Sequence, residues 1–95
     1  MNKDELYQKI VPILKKNGVR RAAVFGSFSR GEETKESDLD LMIVLGRPMG
    51  MIAFVRMKRE IEHVAGRRVD IVVEKSINRH VRPYIEKDLV PIYEE

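Results

Sequence analysis

Arg21-Ala22-Ala23-Val24-Phe25-Gly26-Ser27-Phe28-Ser29-Arg30-Gly31 and, a few residues on, Ser37-Asp38-Leu39-Asp40-Leu41-Met42-Ile43-Val44-Leu45 decide the fold. Arg21 to Phe25 is a short apolar run that reads as a strand, broken by Gly26. Ser27 to Gly31 reads as a turn opening a short helix. Asp38 to Leu45 is a second strand whose side chains alternate between two faces. Leu39, Leu41 and Ile43 share one face and suit a core. Asp38 and Asp40 share the other, with Cα atoms roughly 6.5–7 Å apart.

Working outward, residues 3–17 predict a helix. Leu6, Ile10, Ile13 and Leu14 fall on one stripe, Asn2 is placed to cap the start with Glu5 in the capping-box position, and Gly18 suits the left-handed exit. Pro12 costs that helix a hydrogen bond. Met51 to Ala65 predicts a further helix, with Met51, Phe54 or Val55, Ile61 and Val64 near one face and Gly66 as its stop. Arg68 to Val73 is a third strand. Residues 77–87 predict a helix interrupted by Pro83, and Leu89 to Tyr93 an edge strand, a place that tolerates Pro91. Helices alternating with strands predict an α/β (α+β) domain spanning residues 1–95, a small mixed β-sheet with helices packed against it.

Composition narrows the function. Of 95 residues, 43% are hydrophobic and 35% charged, which describes a globular chain. The absence of cysteine excludes disulfides, thiolate zinc sites and a cysteine nucleophile. No apolar run approaches the roughly 20 residues needed to span a bilayer. The amino-terminal segment lacks a signal peptide's apolar stretch, so the cytoplasm is the expected location. Net charge is +3, yet Glu32, Glu33, Glu36, Asp38 and Asp40 crowd residues 32–40 against Lys35 alone. Such a cluster opposes a nucleic-acid groove unless a metal neutralises it. The six Phe and Tyr residues are scattered and build no stacking platform.

Asp38 and Asp40 on one strand face offer hard oxygen ligands to a cation such as Mg²⁺. Asp70 stands within the apolar run Val69-Asp70-Ile71-Val72-Val73, where an ionised carboxylate is costly unless compensated. A metal shared with Asp38 and Asp40 would compensate it. Each has a plainer explanation: Ser-Asp is an ordinary turn, and Asp70 could sit at a strand end beside Arg67 or Arg68. Gly26 allows close backbone approach, Ser27 offers a hydroxyl and Arg30 a charged fork, all suited to phosphate oxygens. A Walker loop is not present.

Gly26-Ser27-Phe28-Ser29-Arg30-Gly31, then Ser37-Asp38-Leu39-Asp40-Leu41, then Val69-Asp70-Ile71 resembles the minimal nucleotidyltransferases of the DNA polymerase beta nucleotidyltransferase superfamily. The resemblance covers almost the whole chain, with Phe28-Ser29 standing where relatives often have Tyr-Ala or Arg-Ala. It implies the nucleotidyltransferase fold. It implies that Gly26, Ser27 and Arg30 bind the phosphates of ATP or another NTP. It implies that Asp38 and Asp40 bind two Mg²⁺ ions, with Asp70 binding the catalytic one and helping to deprotonate an acceptor hydroxyl. It further implies an antitoxin role beside a HEPN-domain toxin, with AMP moved onto a toxin tyrosine. The alternative is a non-catalytic antitoxin that uses the same fold to bind its partner. A homo-oligomer remains compatible with a domain of this size.

Overall fold

The computed structural model describes residues 2–95. In chain order the elements are α1 (Lys3–Lys16), β1 (Val19–Phe25), α2 (Ser27–Arg30), β2 (Leu39–Leu45), α3 (Met51–Ala65), β3 (Val69–Val73), a 3-10 turn (Glu74–Ser76), α4 (Arg82–Glu86) and β4 (Val90–Glu94). The sheet order is β3-β2-β1-β4. β2 and β3 are parallel, with α3 as their crossover, while β1 is antiparallel to both β2 and β4. The expected mixed sheet is therefore present.

Helix α1 begins where Asn2 accepts a hydrogen bond from the Glu5 amide at 2.8 Å, satisfying one of the donors a helix start leaves free. Its Leu6, Ile10, Ile13 and Leu14 are buried. Alternation along β2 separates two environments. Leu39, Leu41 and Ile43 are 0% exposed beneath the helices, joined by Val24 of β1 and Val69 of β3 at 1% each. Asp40, Met42 and Val44 are only partly buried, on the opposite face of the strand.

Three local expectations need correction. β1 begins at Val19, not Arg21: Gly18, at φ +79°, turns the chain directly from α1 into the strand, and the exposed Arg20 and Arg21 conceal its first residues. In α3 the buried stripe is Met57, Ile61 and Ala65, while Met51 and Ile52 are 75% and 76% exposed. Phe54 and Val64 pack at the core's margin. Met57 is one of the longer, adaptable side chains that fill irregular gaps. Finally, residues 77–87 are not one helix. A turn closed by the Asn78 side chain, which accepts from the His80 amide at 2.7 Å, precedes α4. Pro83 stands in the first turn of α4, where its missing N–H costs nothing. Among the described residues, no helix is long and apolar enough to cross a membrane.

Candidate active site

At one end of the sheet, β1 runs out into Gly26 and β2 begins. The pairing Phe25 with Asp40 places the Gly-Ser turn beside the first acidic position of β2. Gly26 adopts φ +72° and ψ −150°, a region essentially reserved for glycine. A Cβ there would land on Asp40 Oδ2 and lie 3.2 Å from Asp40 Cγ. Glycine is thus required both by the turn and by the carboxylate. The turn is closed by Ser29, whose Oγ and N–H both donate to the Gly26 carbonyl, at 2.8 and 3.1 Å. Gly31, at φ +72°, ends α2.

Parallel pairing of β2 with β3 sets Asp40 directly beside Asp70. Two contacts hold that register at the strands' start. The Leu39 amide donates to the Arg68 carbonyl at 3.0 Å, and the Val69 amide to Glu62 Oε2 at 3.0 Å. In-register neighbours point to the same face of a sheet, so Asp70 faces the side Asp40 faces. Asp38 precedes β2. Asp38, Asp40 and Asp70 line one open cleft together with Gly26, Ser27 and Arg30.

One premise about Asp70 is overturned. Its side chain is exposed, because β3 is an edge strand and this face of the sheet is open there. No burial cost demands a compensating partner. The tension resides instead at Asp40. Its carboxyl is raised above the usual carboxylate range, first by burial, then by the charges of Asp70 and Asp38, with Arg30 acting in the opposite sense. Asp40 and Asp70 take part in none of the ion pairs of the described residues. Asp38 meets Arg68 at 3.4 Å, a well-exposed contact of small energetic weight.

Like charges crowded on one face, with one of them half-buried, form a donor set that fits a hard divalent cation. Gly26, lacking a Cβ, lets the Asp40 carboxylate approach the turn closely. Among the described residues the acidic side chains are not gathered into a finished ligand cage. Holding an ion would draw Asp38 from Arg68.

Arg30 departs from a free phosphate fork. Its Nε donates to Glu32 Oε1 and its Nη1 to Asp88 Oδ2, both at 2.7 Å, and these bonds raise its pKa further. Phe28 does not reach the cleft: it is buried, and the Arg67 guanidinium stacks 4.7 Å from its ring centre. The departure at Phe28-Ser29 therefore alters packing beneath the turn.

The supporting roles of two residues escaped the sequence, and Arg67 serves the loop before β2, not Asp70. Arg67 Nη1 donates to the carbonyls of Thr34 and Ser37, at 3.0 and 2.8 Å, strapping down the loop that delivers Asp38. Asp88 holds Arg30. Both contacts cross long stretches of chain, so no local pattern signals them.

A mixed sheet with a glycine-serine turn and acidic side chains at one end defines the class: an α/β nucleotidyltransferase fold. The chain belongs to the nucleotidyltransferase domain family, whose model matches residues 7–92, and it is a nucleotidyltransferase. It is 38% identical over 92 residues, 97% of this chain and 99% of the other, to a protein of Methanocaldococcus jannaschii whose name assigns it to the protein adenylyltransferases. A solved structure described as that of a minimal nucleotidyltransferase superposes with a TM-score of 0.78 at 30% identity, covering 90% of this chain and 87% of that one. A chain from the complex of tri-AMPylated Shewanella oneidensis HEPN toxin with MNT antitoxin superposes with a TM-score of 0.78 at 17% identity. It covers 99% of this chain and 74% of that one. At that identity the likeness shows the fold.

Proposed function

We propose that this protein is a Mg²⁺-dependent adenylyltransferase that moves AMP from ATP onto a hydroxyl of a partner protein, a tyrosine of a HEPN-type toxin, and so acts in the cytoplasm as an antitoxin. The observation that carries this is the register of β2 and β3, which sets Asp40 beside Asp70 within one cleft that also contains Gly26 and Ser27. The tri-AMPylated state of the HEPN toxin in the Shewanella complex supports the choice of acceptor class.

In this assignment Asp38 and Asp40 would hold two Mg²⁺ ions, with Asp70 as a further ligand to one of them. Bound Mg²⁺ supplies positive charge for the triphosphate and acidifies the acceptor hydroxyl. Gly26 gives the phosphates room to approach the backbone, and the Ser27 hydroxyl donates to a phosphate oxygen. Arg30 stands at the cleft's edge with guanidinium N–H donors to offer to phosphate oxygens. Asp70, exposed and unpaired, is free to accept the acceptor proton. The acceptor oxygen forms a bond to the α-phosphorus as the bond from that phosphorus to the bridging oxygen breaks, and pyrophosphate leaves with the electron pair.

The test uses Mg²⁺, α-labelled ATP and the HEPN-type partner. Label is expected on the partner with the wild-type chain, and on none with Asp38→Ala/Asp40→Ala. Equal labelling by both proteins would refute the assignment. Neutralisation of the toxin by the double variant, without labelling, would point to inhibition by contact alone.

A further inference from the structure

Asp88 lies in the turn between α4 and β4, outside every motif. Sheet register sets its place. β4 pairs antiparallel with β1, Val24 facing Val90. Asp88 lies two residues before β4, and Gly26 follows directly on β1, so the α4–β4 turn comes to the same end of the sheet as the Gly-Ser turn. The Asp88 side chain is 14% exposed, and its Oδ2 accepts from Arg30 Nη1 at 2.7 Å. Glu32 Oε1 accepts from Nε, on the other edge of the same guanidinium, at 2.7 Å.

Two acids on different elements therefore grip one cation from two sides. A guanidinium carries five N–H donors in a rigid plane, so these bonds leave others unspent. Arg30 still lines the cleft, and its charge is felt at Asp40. A long side chain left free loses rotamer entropy when a ligand immobilises it, whereas one already held loses little. With two carboxylates beside it, Arg30 contributes geometry more than net charge.

We infer that Asp88 is a positioning residue: through the Nη1 bond it holds the Arg30 guanidinium at the rim of the cleft, so that the remaining donors meet the triphosphate of the nucleotide. This rests on the nucleotide-binding reading above. It assigns the α4–β4 turn a part in ATP affinity.

The test uses the full chain, with Mg²⁺ and a non-hydrolysable ATP analogue as the probe, in two measurements. In ¹H–¹⁵N spectra recorded without nucleotide, the Arg30 Nη1–H resonances, which belong to the donor that Asp88 holds, are expected to be exchange-protected in the wild type and to lose protection in Asp88→Asn, while Nε–H, held by Glu32, keeps its protection. By calorimetry, Asp88→Asn is expected to weaken analogue binding roughly three- to tenfold, the scale of one hydrogen bond of ordinary strength. Asp88→Glu restores part of that loss. In an Arg30→Ala background, Asp88→Asn adds nothing further. A merely structural Asp88 would instead lower the melting temperature and weaken binding in both backgrounds equally, and that result overturns the inference. So does wild-type affinity in Asp88→Asn. Failure of the wild-type chain to bind the analogue overturns this inference and the proposed function together.

Discussion

Asp40→Asn should raise the melting temperature of the metal-free protein while abolishing its response to Mg²⁺. In the fold Asp40 sits half-buried beside Asp70, with Asp38 close by, and it joins none of the ion pairs of the described residues. Neighbouring strands lie about 4.8 Å apart, which puts the two carboxylates roughly 6 Å from each other. At that distance two unit charges repel by about 2.8 kcal/mol at an effective dielectric near 20, and by about 0.7 kcal/mol at that of water. Asp70 is exposed, so the lower part of the range applies, about 1 kcal/mol. For a domain of this size, ~1 kcal/mol moves the melting temperature by about 4–8 °C.

The pH dependence follows with a definite sign. Because the folded carboxyl of Asp40 is raised above its ordinary value of 3.8, the fold binds its proton more tightly than the unfolded chain does. Its favourable contribution is complete below the ordinary value and is lost as pH rises through the folded one. The advantage of Asp40→Asn should therefore be full at neutral pH and shrink on acidification, as the wild-type carboxyl protonates. Differential scanning calorimetry in chelator, then in Mg²⁺, reads both effects. Ion at ten times its Kd should stabilise the wild type by about 1.4 kcal/mol and leave Asp40→Asn unmoved. A lower melting temperature for Asp40→Asn in chelator, or the same Mg²⁺ shift in both proteins, refutes the reasoning.

Gly26→Ala should lose nucleotide-analogue binding and destabilise the fold by about 1–3 kcal/mol, since its backbone region excludes a Cβ and that Cβ would meet Asp40 Oδ2; urea unfolding and calorimetric titration measure the pair. Arg67→Ala frees the carbonyls of Thr34 and Ser37 and uncovers Phe28. It should cost about 1–3 kcal/mol in urea unfolding, with hydrogen exchange quickened in residues 34–37; unchanged exchange there would count against the strap. Met57→Ala empties a fully buried position under the sheet and should cost about 2–5 kcal/mol, whereas Met51→Ala, on the exposed first turn of α3, should change stability by less than about 0.5 kcal/mol.

The order of elements was legible because each carries its own local signal. Alternation marks β2, and the Leu6, Ile10, Ile13, Leu14 stripe marks α1. Glycines 18 and 66, both at positive φ, mark where the helices end. Legibility failed where a segment's state depends on something distant. The apolar start of α3 suggests core at Met51 and Val55 because both are hydrophobic, yet the helix turns them outward and buries Met57. Residues 77–87 resemble an interrupted helix because Pro83 reads as a breaker, whereas it stands in the first turn of α4.

Asp70 stands beside Asp40 as expected, but not for the expected reason. An acid inside an apolar run suggests burial and a need for compensation, but the run belongs to an edge strand whose second face is open. Its hydrophobic members do not surround it. Val69 is buried on the core side of the strand and Ile71 packs at the margin of the same core. The electrostatic strain that singles out the site lies one strand inward, at Asp40, and arises only when β3 returns in register. Neither residue's neighbours in sequence contain that information. The crossover length between Asp40 and Asp70 permits their meeting, and the parallel register, held at Leu39 and Val69, brings it about. An exposed Asp70 also suits the proposed chemistry better than a buried one, since a group that must accept a proton from an incoming macromolecule has to be reachable from outside. Under the proposed function Asp40 would stay recessed as a ligand while Asp70 met the acceptor, a division that their places on an inner and an edge strand would provide.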